Sequence, residues 1–276
     1  MAVIDAHHHV WRRAETPQPW IDPERMTAID ADFTLADLPA GEHGIDATVV
    51  VQSADSLRES LDLLGLVGPV AGVVGWVDIL GDVAGQVVDL RNVAGPLVGI
   101  RSMVQAQHDP AYLDRPDVRA GISAVGDAGL PFDLVVRHDQ LAAAARLAES
   151  HPDVLFVLDH LGKPPLTGHA LGPWRADLAR LAACPNVVAK LSGLATEADW
   201  ASWSVATLRP AVDHALDVLG PERLMFGSDW PVCLLAVTYG RWMEVVHELT
   251  DDLAPDERDQ IWGGTAARTY QLEEQG

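Results

Sequence analysis

A single (β/α)8 barrel is the fold class this 276-residue sequence predicts, and three observations predict it. Eight apolar runs of strand length recur along the chain, each bounded by turn signals. Most are followed by a stretch whose apolar residues fall at three- and four-residue spacings, the stripe of a helix packed on a sheet. The strands are apolar on both faces, as a parallel sheet covered by helices requires. Eight such repeats in about the 250 residues typical of a closed barrel favour that fold over a doubly wound open sheet.

In order, the strands are AVIDAHHH, ATVVVQS, VAGVVGWVDI, LVGIRSMV, PFDLVV, VLFVLDHLG, NVVAKLSG and RLMFGSDWP. Helical candidates between them include SLRESLDLLGLV, DQLAAAARLAESH, WRADLARLAAC and VATLRPAVDHALDVLG, and WMEVVHEL through DERDQIWGGTAARTYQL supplies closing helices. HPDVLF and CPNVVA read as helix, turn and strand, the short connection of αβ units. Residues 11–40, rich in Pro, Asp and Trp, are too long for an ordinary βα loop and are expected as a lid or wall over the barrel mouth. The whole chain, residues 1–276, is expected as one domain.

Apolar residues make up 48% of the chain, with no low-complexity tract or Ser/Gly linker, so all of it reads as globular. A formal net charge of −21 repels phosphate backbones and anionic lipid, which argues against nucleic acid and membranes as partners. No basic segment leads into an apolar signal core, and the most apolar run, LGLVGPVAGVVGWVDIL, is broken by Gly and Pro; a soluble, cytoplasmic protein is expected. Cys184 and Cys233 lack metal or redox spacing and are expected as small core fillers.

Chemistry in this fold sits where the strands end. Strand one ends in His7 and His9, which share a direction because side chains alternate with period two, while His8 points away and packs. Strand two ends in Gln52, strand three in Trp76 and Asp78, strand four in Arg101. Strand five is followed by Arg137 and His138. Strand six ends in Asp159 and His160 with Lys163 beyond, strand seven carries Lys190 and Ser192, and strand eight ends in Ser228, Asp229 and Trp230. Lysine occurs only at 163 and 190 in a chain that otherwise uses Arg. Burying these groups at one rim is costly unless they pair or bind something. Taken alone, Asp229 could be a helix cap and His160 a satisfied loop histidine; together with His7 and His9 they read as a site. Trp11, Trp20, Trp76 and Trp230 are candidate pocket walls. His43, His151, His169, His214 and His247 carry no assigned role, and His108 reads as solvated.

The ordered set IDAHHHVW, VLDHLGKPP, KLSGL and FGSDWP resembles the sugar-lactonase branch of the amidohydrolase superfamily (amidohydrolase-related family 2), the branch of L-fuconolactonase and L-rhamnonolactonase. These segments run from residue 4 to residue 231, nearly the whole chain. The resemblance implies that His7, His9, His160 and Asp229 form the catalytic cluster and are also its metal ligands. It implies that Gln52, Arg101, Lys163 and Lys190 orient a polyhydroxylated or acidic lactone; Trp76 and Trp230, among the candidate walls, are expected to pack on its ring. The departures are at strand four, where GIRSM offers Arg101 in place of a bridging ligand, and at strand five, where only His138 stands near the usual histidine.

The expected chemistry is opening of an aldonolactone by an activated water, with Asp229 as general base. The histidines then either hold one divalent ion, zinc or manganese, or act without metal as donors to the oxyanion. The expected partner is a small sugar lactone, and the sequence leaves homo-oligomerisation open. Two rivals are a metal-dependent decarboxylase of an aromatic or unsaturated acid and a non-catalytic sugar-acid binding protein.

Overall fold

The strand ladder shows how the predicted barrel closes. In the computed structural model, which describes residues 1–168 and 170–272, eight strands pair in parallel in the order of the chain. They are β1 (Ile4–His8), β2 (Ala47–Val51), β3 (Val70–Gly75), β4 (Leu97–Ser102), β5 (Phe132–Leu134), β6 (Phe156–Leu158), β7 (Val187–Leu191) and β8 (Leu224–Phe226). His8 bridges in parallel to Trp230, just beyond β8, and this seam joins the last strand to the first. The strands are shorter than the apolar runs suggest, because each run continues past the sheet into the loop that carries its polar residues.

The helices are α1 (Leu57–Leu64), α2 (Val83–Arg91), α3 (Pro116–Asp127), α4 (Leu141–Ser150), α5 (Gly172–Ala182), α6 (Val205–Leu219), α7 (Tyr239–Leu249), α8 (Pro255–Asp259) and α9 (Thr265–Thr269). Their buried faces follow the sequence stripe. On α6, for example, Leu208, Ala211, Val212, Ala215 and Leu219 are buried, three- and four-residue steps that bring one face onto the sheet. Burying each such large side chain contributes roughly 1.5–3 kcal/mol. Caps fix the starts: Ser56 accepts from Glu59 N at the head of α1, as does Thr238 from Arg241 N at the head of α7.

Two apolar layers result. The outer one lies between strands and helices. The inner one fills the lower barrel with Ile4, Ala6, Val49, Val74, Val157, Val188 and Met225, joined by Ala266 and Tyr270 from the C-terminal segment. Cys184 and Cys233 are buried, unpaired packing residues. Among the described residues no helix is long and apolar enough to cross a membrane. His169 lies outside the described residues.

β1 carries the one irregularity that matters most. Between Asp5 and His8 its pairing with β2 advances three residues against two, a bulge of the kind that re-aims side chains beside functional sites. Ile4 and Ala6 pack in the inner core, and after the bulge His7 and His9 turn inward together.

Candidate active site

Three donor atoms converge above the inner core. His7 Nε2 and His9 Nε2 lie 3.3 Å apart, and Asp229 Oδ1 lies 3.6 Å from the first and 3.5 Å from the second. His160 Nε2 completes the ring at 3.9 Å from the same oxygen. All four side chains are buried or nearly so.

The local backbone explains why they meet. Asp5 ties the seam together: its carboxylate accepts from His7 N at 3.2 Å, Ser228 N at 2.8 Å and the Tyr239 hydroxyl at 3.0 Å. Burial nonetheless pushes its pKa up to about 6, against the pull of those hydrogen bonds. His9 N donates to Trp230 O, and Asp229 N to His7 O, so the two strand ends are interlocked. Asp229 itself has a left-handed φ of 56°, and His160, Leu161, Gly162 and Lys163 form a left-handed run with φ between 51° and 68°. Non-glycine residues in this region cost about 1–2 kcal/mol each. Gly193, also left-handed, leaves room for the cluster: a Cβ there would lie 2.6 Å from His160 Nδ1 and 3.0 Å from Asp229 Oδ2.

Partners on the far side of each ring set its orientation. His9 Nδ1 donates to Val51 O at 2.7 Å, which leaves Nε2 with its lone pair facing the centre. His160 Nδ1 lies 2.8 Å from Ser192 Oγ. Burial holds the pKa of His7 well below the ordinary histidine value, against the pull of Asp159, and lowers His160 likewise, so both rings are neutral. Burial alone would raise the pKa of Asp229, but His160, His9 and His7 outweigh it and keep the carboxyl below its usual range. One negative charge therefore faces the imidazoles.

This donor set fits a single divalent ion. The edges of the His7, His9 and Asp229 triangle are close to the roughly 3.4 Å expected between donors that each bind zinc at about 2.0–2.1 Å in a tetrahedron. A second potential group, His7, Asp159 and His160, is already filled by protein cations. Lys190 Nζ lies 3.0 Å from Asp159 Oδ1 and 3.1 Å from His7 Nδ1, and Arg101 Nη1 lies 2.8 Å from Asp159 Oδ2.

Above the cluster opens a cavity of about 280 Å³, small even for ligand pockets, which usually exceed about 300 Å³. His9, Arg101, His160, Lys163 and Asp229 line it, as does Trp20 of the 11–40 segment. Glu59 fastens that segment: it accepts from Ser53 and Ala54 N–H groups, and Ser53 in turn binds Gln18 Nε2 at 3.2 Å and Trp20 Nε1 at 2.9 Å. Burial raises the Glu59 pKa.

Several expected contacts lie elsewhere. Lys190, expected against substrate, is fully buried one layer lower, bound to Asp133 and Asp159. Gln52 is also fully buried beneath the cavity, donating to Arg101 O at 3.2 Å. Trp230 is part of the seam and packs on Phe33 at 5.3 Å, and Trp76, whose backbone bonds to Ser60, does not line the cavity either. Trp11 packs behind His9 at 6.3 Å. His138 is exposed on a turn outside the cluster, because β5 ends at Leu134 and the chain has left the rim by then. Cavity residues that sequence reasoning missed include Met26, Met103, Gln105, Glu197 and Trp200. They come from loops, where no periodicity announces direction.

Known proteins resemble this chain over nearly its whole length. A family model described as amidohydrolase matches residues 4–272. Among relatives, an L-fucono-1,5-lactonase of Burkholderia multivorans is 38% identical, covering 98% of this chain and 96% of its own. One of Burkholderia ambifaria is 36% identical over the same shares. A crystal structure of a Burkholderia multivorans amidohydrolase with bound zinc superposes with a TM-score of 0.93 at 37% identity, covering 99% of this chain and 100% of the other.

Proposed function

Because this chain belongs to the amidohydrolase family, we propose that it hydrolyses the lactone of a sugar acid to the open hydroxy acid. The six-membered 1,5-lactone named for its relatives is the favoured ring. The observation that carries the reading is the convergence of one ionised carboxylate and three imidazoles on the floor of a small cavity.

Asp229 takes the proton of the attacking water. Its carboxyl is ionised at neutral pH, the state a base needs, and it lines the cavity. His7, His9 and Asp229 would hold the divalent ion, which when bound supplies Lewis acidity for water and carbonyl oxygen. His160, oriented by Ser192, faces the same centre and stabilises the oxyanion that forms as water adds. Arg101 and Lys163 contact the hydroxyls, and Trp20 and Trp200 give the ring apolar walls.

The rival reading is a metal-dependent decarboxylase of an aromatic or unsaturated acid. Within this cavity Arg101 is paired with Asp159 and Lys163 with Glu197. The test is a panel of sugar lactones read with a pH indicator, beside plain butyrolactone and aromatic carboxylates, with and without chelator. Acid release from sugar lactones with at most one bound ion per chain is expected. Carbon dioxide from the carboxylates without lactone opening would transfer the case to the rival.

A further inference from the structure

Lys163 and Glu197 face each other across the cavity wall, Nζ to Oε1 at 2.8 Å, each about a quarter exposed. They sit on the two loops that build the site. Lys163 ends the left-handed run that begins with His160, and Glu197 follows the Ser192–Gly193 corner that supports His160 and Asp229. The other cavity cation, Arg101, is also paired, with Asp159. Among the described residues that line this cavity, both cations thus face a carboxylate.

Hydrolysis changes the charge of what the cavity holds. Water adds to the acyl carbon, the acyl–ring oxygen bond breaks, the ring oxygen leaves as a hydroxyl carrying one proton of water, and the new carboxylic acid loses its proton to solvent. A neutral lactone becomes an anion. Glu197 then stands as a like charge on the wall, while the lysine that would attract the anion is already engaged.

We propose that the Lys163–Glu197 pair determines specificity by charge: it admits neutral lactones and turns away ligands bearing a carboxylate, including the open-chain product. This rests on the lactonase reading for its substrate but concerns only how the cavity treats charge. Glu197 selects without touching the reacting atoms, since partly buried like charges oppose association far more than solvated ones.

The experiment is direct binding, followed by tryptophan fluorescence or calorimetry, of L-fuconate and D-gluconate as anions and L-fucitol as the neutral comparison. Proteins are the wild type, Glu197→Gln, Lys163→Met and the double variant, each as purified and checked for folding by circular dichroism. Glu197→Gln should tighten both acids by about tenfold or more, move L-fucitol by less than about threefold, and lose most of the gain in high salt. The double variant should fall back toward the wild type, because the freed lysine carries the gain. If Glu197→Gln leaves acid binding within twofold, or tightens the neutral alcohol equally, the pair is only a strut between two loops and the proposal fails. If Lys163→Met alone tightens the acids, it also fails. Failure of the lactonase reading would appear separately, as absent ring opening by the wild type across the lactone panel, whatever the binding data show.

Discussion

Two buried polar clusters lie one above the other inside this barrel, and they differ in what their charges face. In the lower cluster the charges are matched. Lys190 Nζ binds Asp133 at 2.5 Å and Asp159 at 3.0 Å, Tyr270 donates to Asp133 at 2.8 Å, and Arg101 binds Asp159 at 2.8 Å, so two cations answer two carboxylates. In the upper cluster no side-chain ammonium or guanidinium among the described residues pairs with Asp229: it meets imidazole rings, and the donor atoms of His7 and His9 point at a shared centre open to the cavity. Burial of polar groups is common to both. What marks the upper one as a site is convergence on space that protein does not fill.

The comparison breaks most clearly at Lys190. Lys190→Met leaves two carboxylates without their shared cation and should destabilise the fold by about 3–5 kcal/mol in denaturant unfolding, the usual cost of breaking a buried ion pair. A loss below about 1 kcal/mol would mean that the floor is not ionised. The mirror experiment is Asp229→Asn. Asparagine tolerates the left-handed φ of this position, so the change removes charge and spares the backbone. Turnover should fall at least about a hundredfold, roughly 2.7 kcal/mol in activation free energy, with little change in stability. Near-normal turnover would reduce Asp229 to a turn residue.

Next in expected size is His8, buried with neither ring nitrogen partnered and with its pKa lowered by burial to about 3. His8→Leu should keep turnover and raise stability by a few tenths to about 1 kcal/mol, since unpaired buried polar atoms cost roughly that or more. His9→Ala should abolish most activity. Equal losses from the two would mean that the bulge in β1 does not aim the histidines as described.

The smallest expected effect belongs to a histidine outside both clusters. His247, stacked on Trp262 at 4.1 Å, has its pKa lowered by burial first and Arg258 second. Below its ordinary value of 6.5 the unfolded chain binds a proton that the folded chain resists, so stability falls as pH drops through 6.5 and is unaffected above it. His247→Phe keeps the stack and should flatten the melting temperature between pH 7 and pH 5 slightly. A steeper acid loss would reverse the assignment.

Direction was legible in the sequence and depth was not. Alternation along AVIDAHHH separates His7 and His9 from His8, and the polar residues that end the apolar runs place Asp229 and His160 at one rim. Lys190 and Gln52 point inward as alternation says, yet strand pairing sets Lys190 opposite Met225, a full layer below the cavity. No single-strand pattern carries that register. Asp5 offered a signal, an acid inside an apolar strand, and it proves to bind the seam. Gly193 and Glu59 offered almost none: one is defined by a close approach of His160, the other by backbone groups of a neighbouring loop.

The seam between β1 and β8 also orders events during protein synthesis. His7 and His9 leave the ribosome well before Asp229 and the Trp230 carbonyl that grips His9, which arrive only after β8 has been made. A chain cut short by a premature stop codon after His9 and before that point carries the two histidines without the carboxylate and the backbone contacts that hold them. Such fragments also lack the seam contact of Ser228 N with the Asp5 carboxylate, which joins residues 223 apart in sequence.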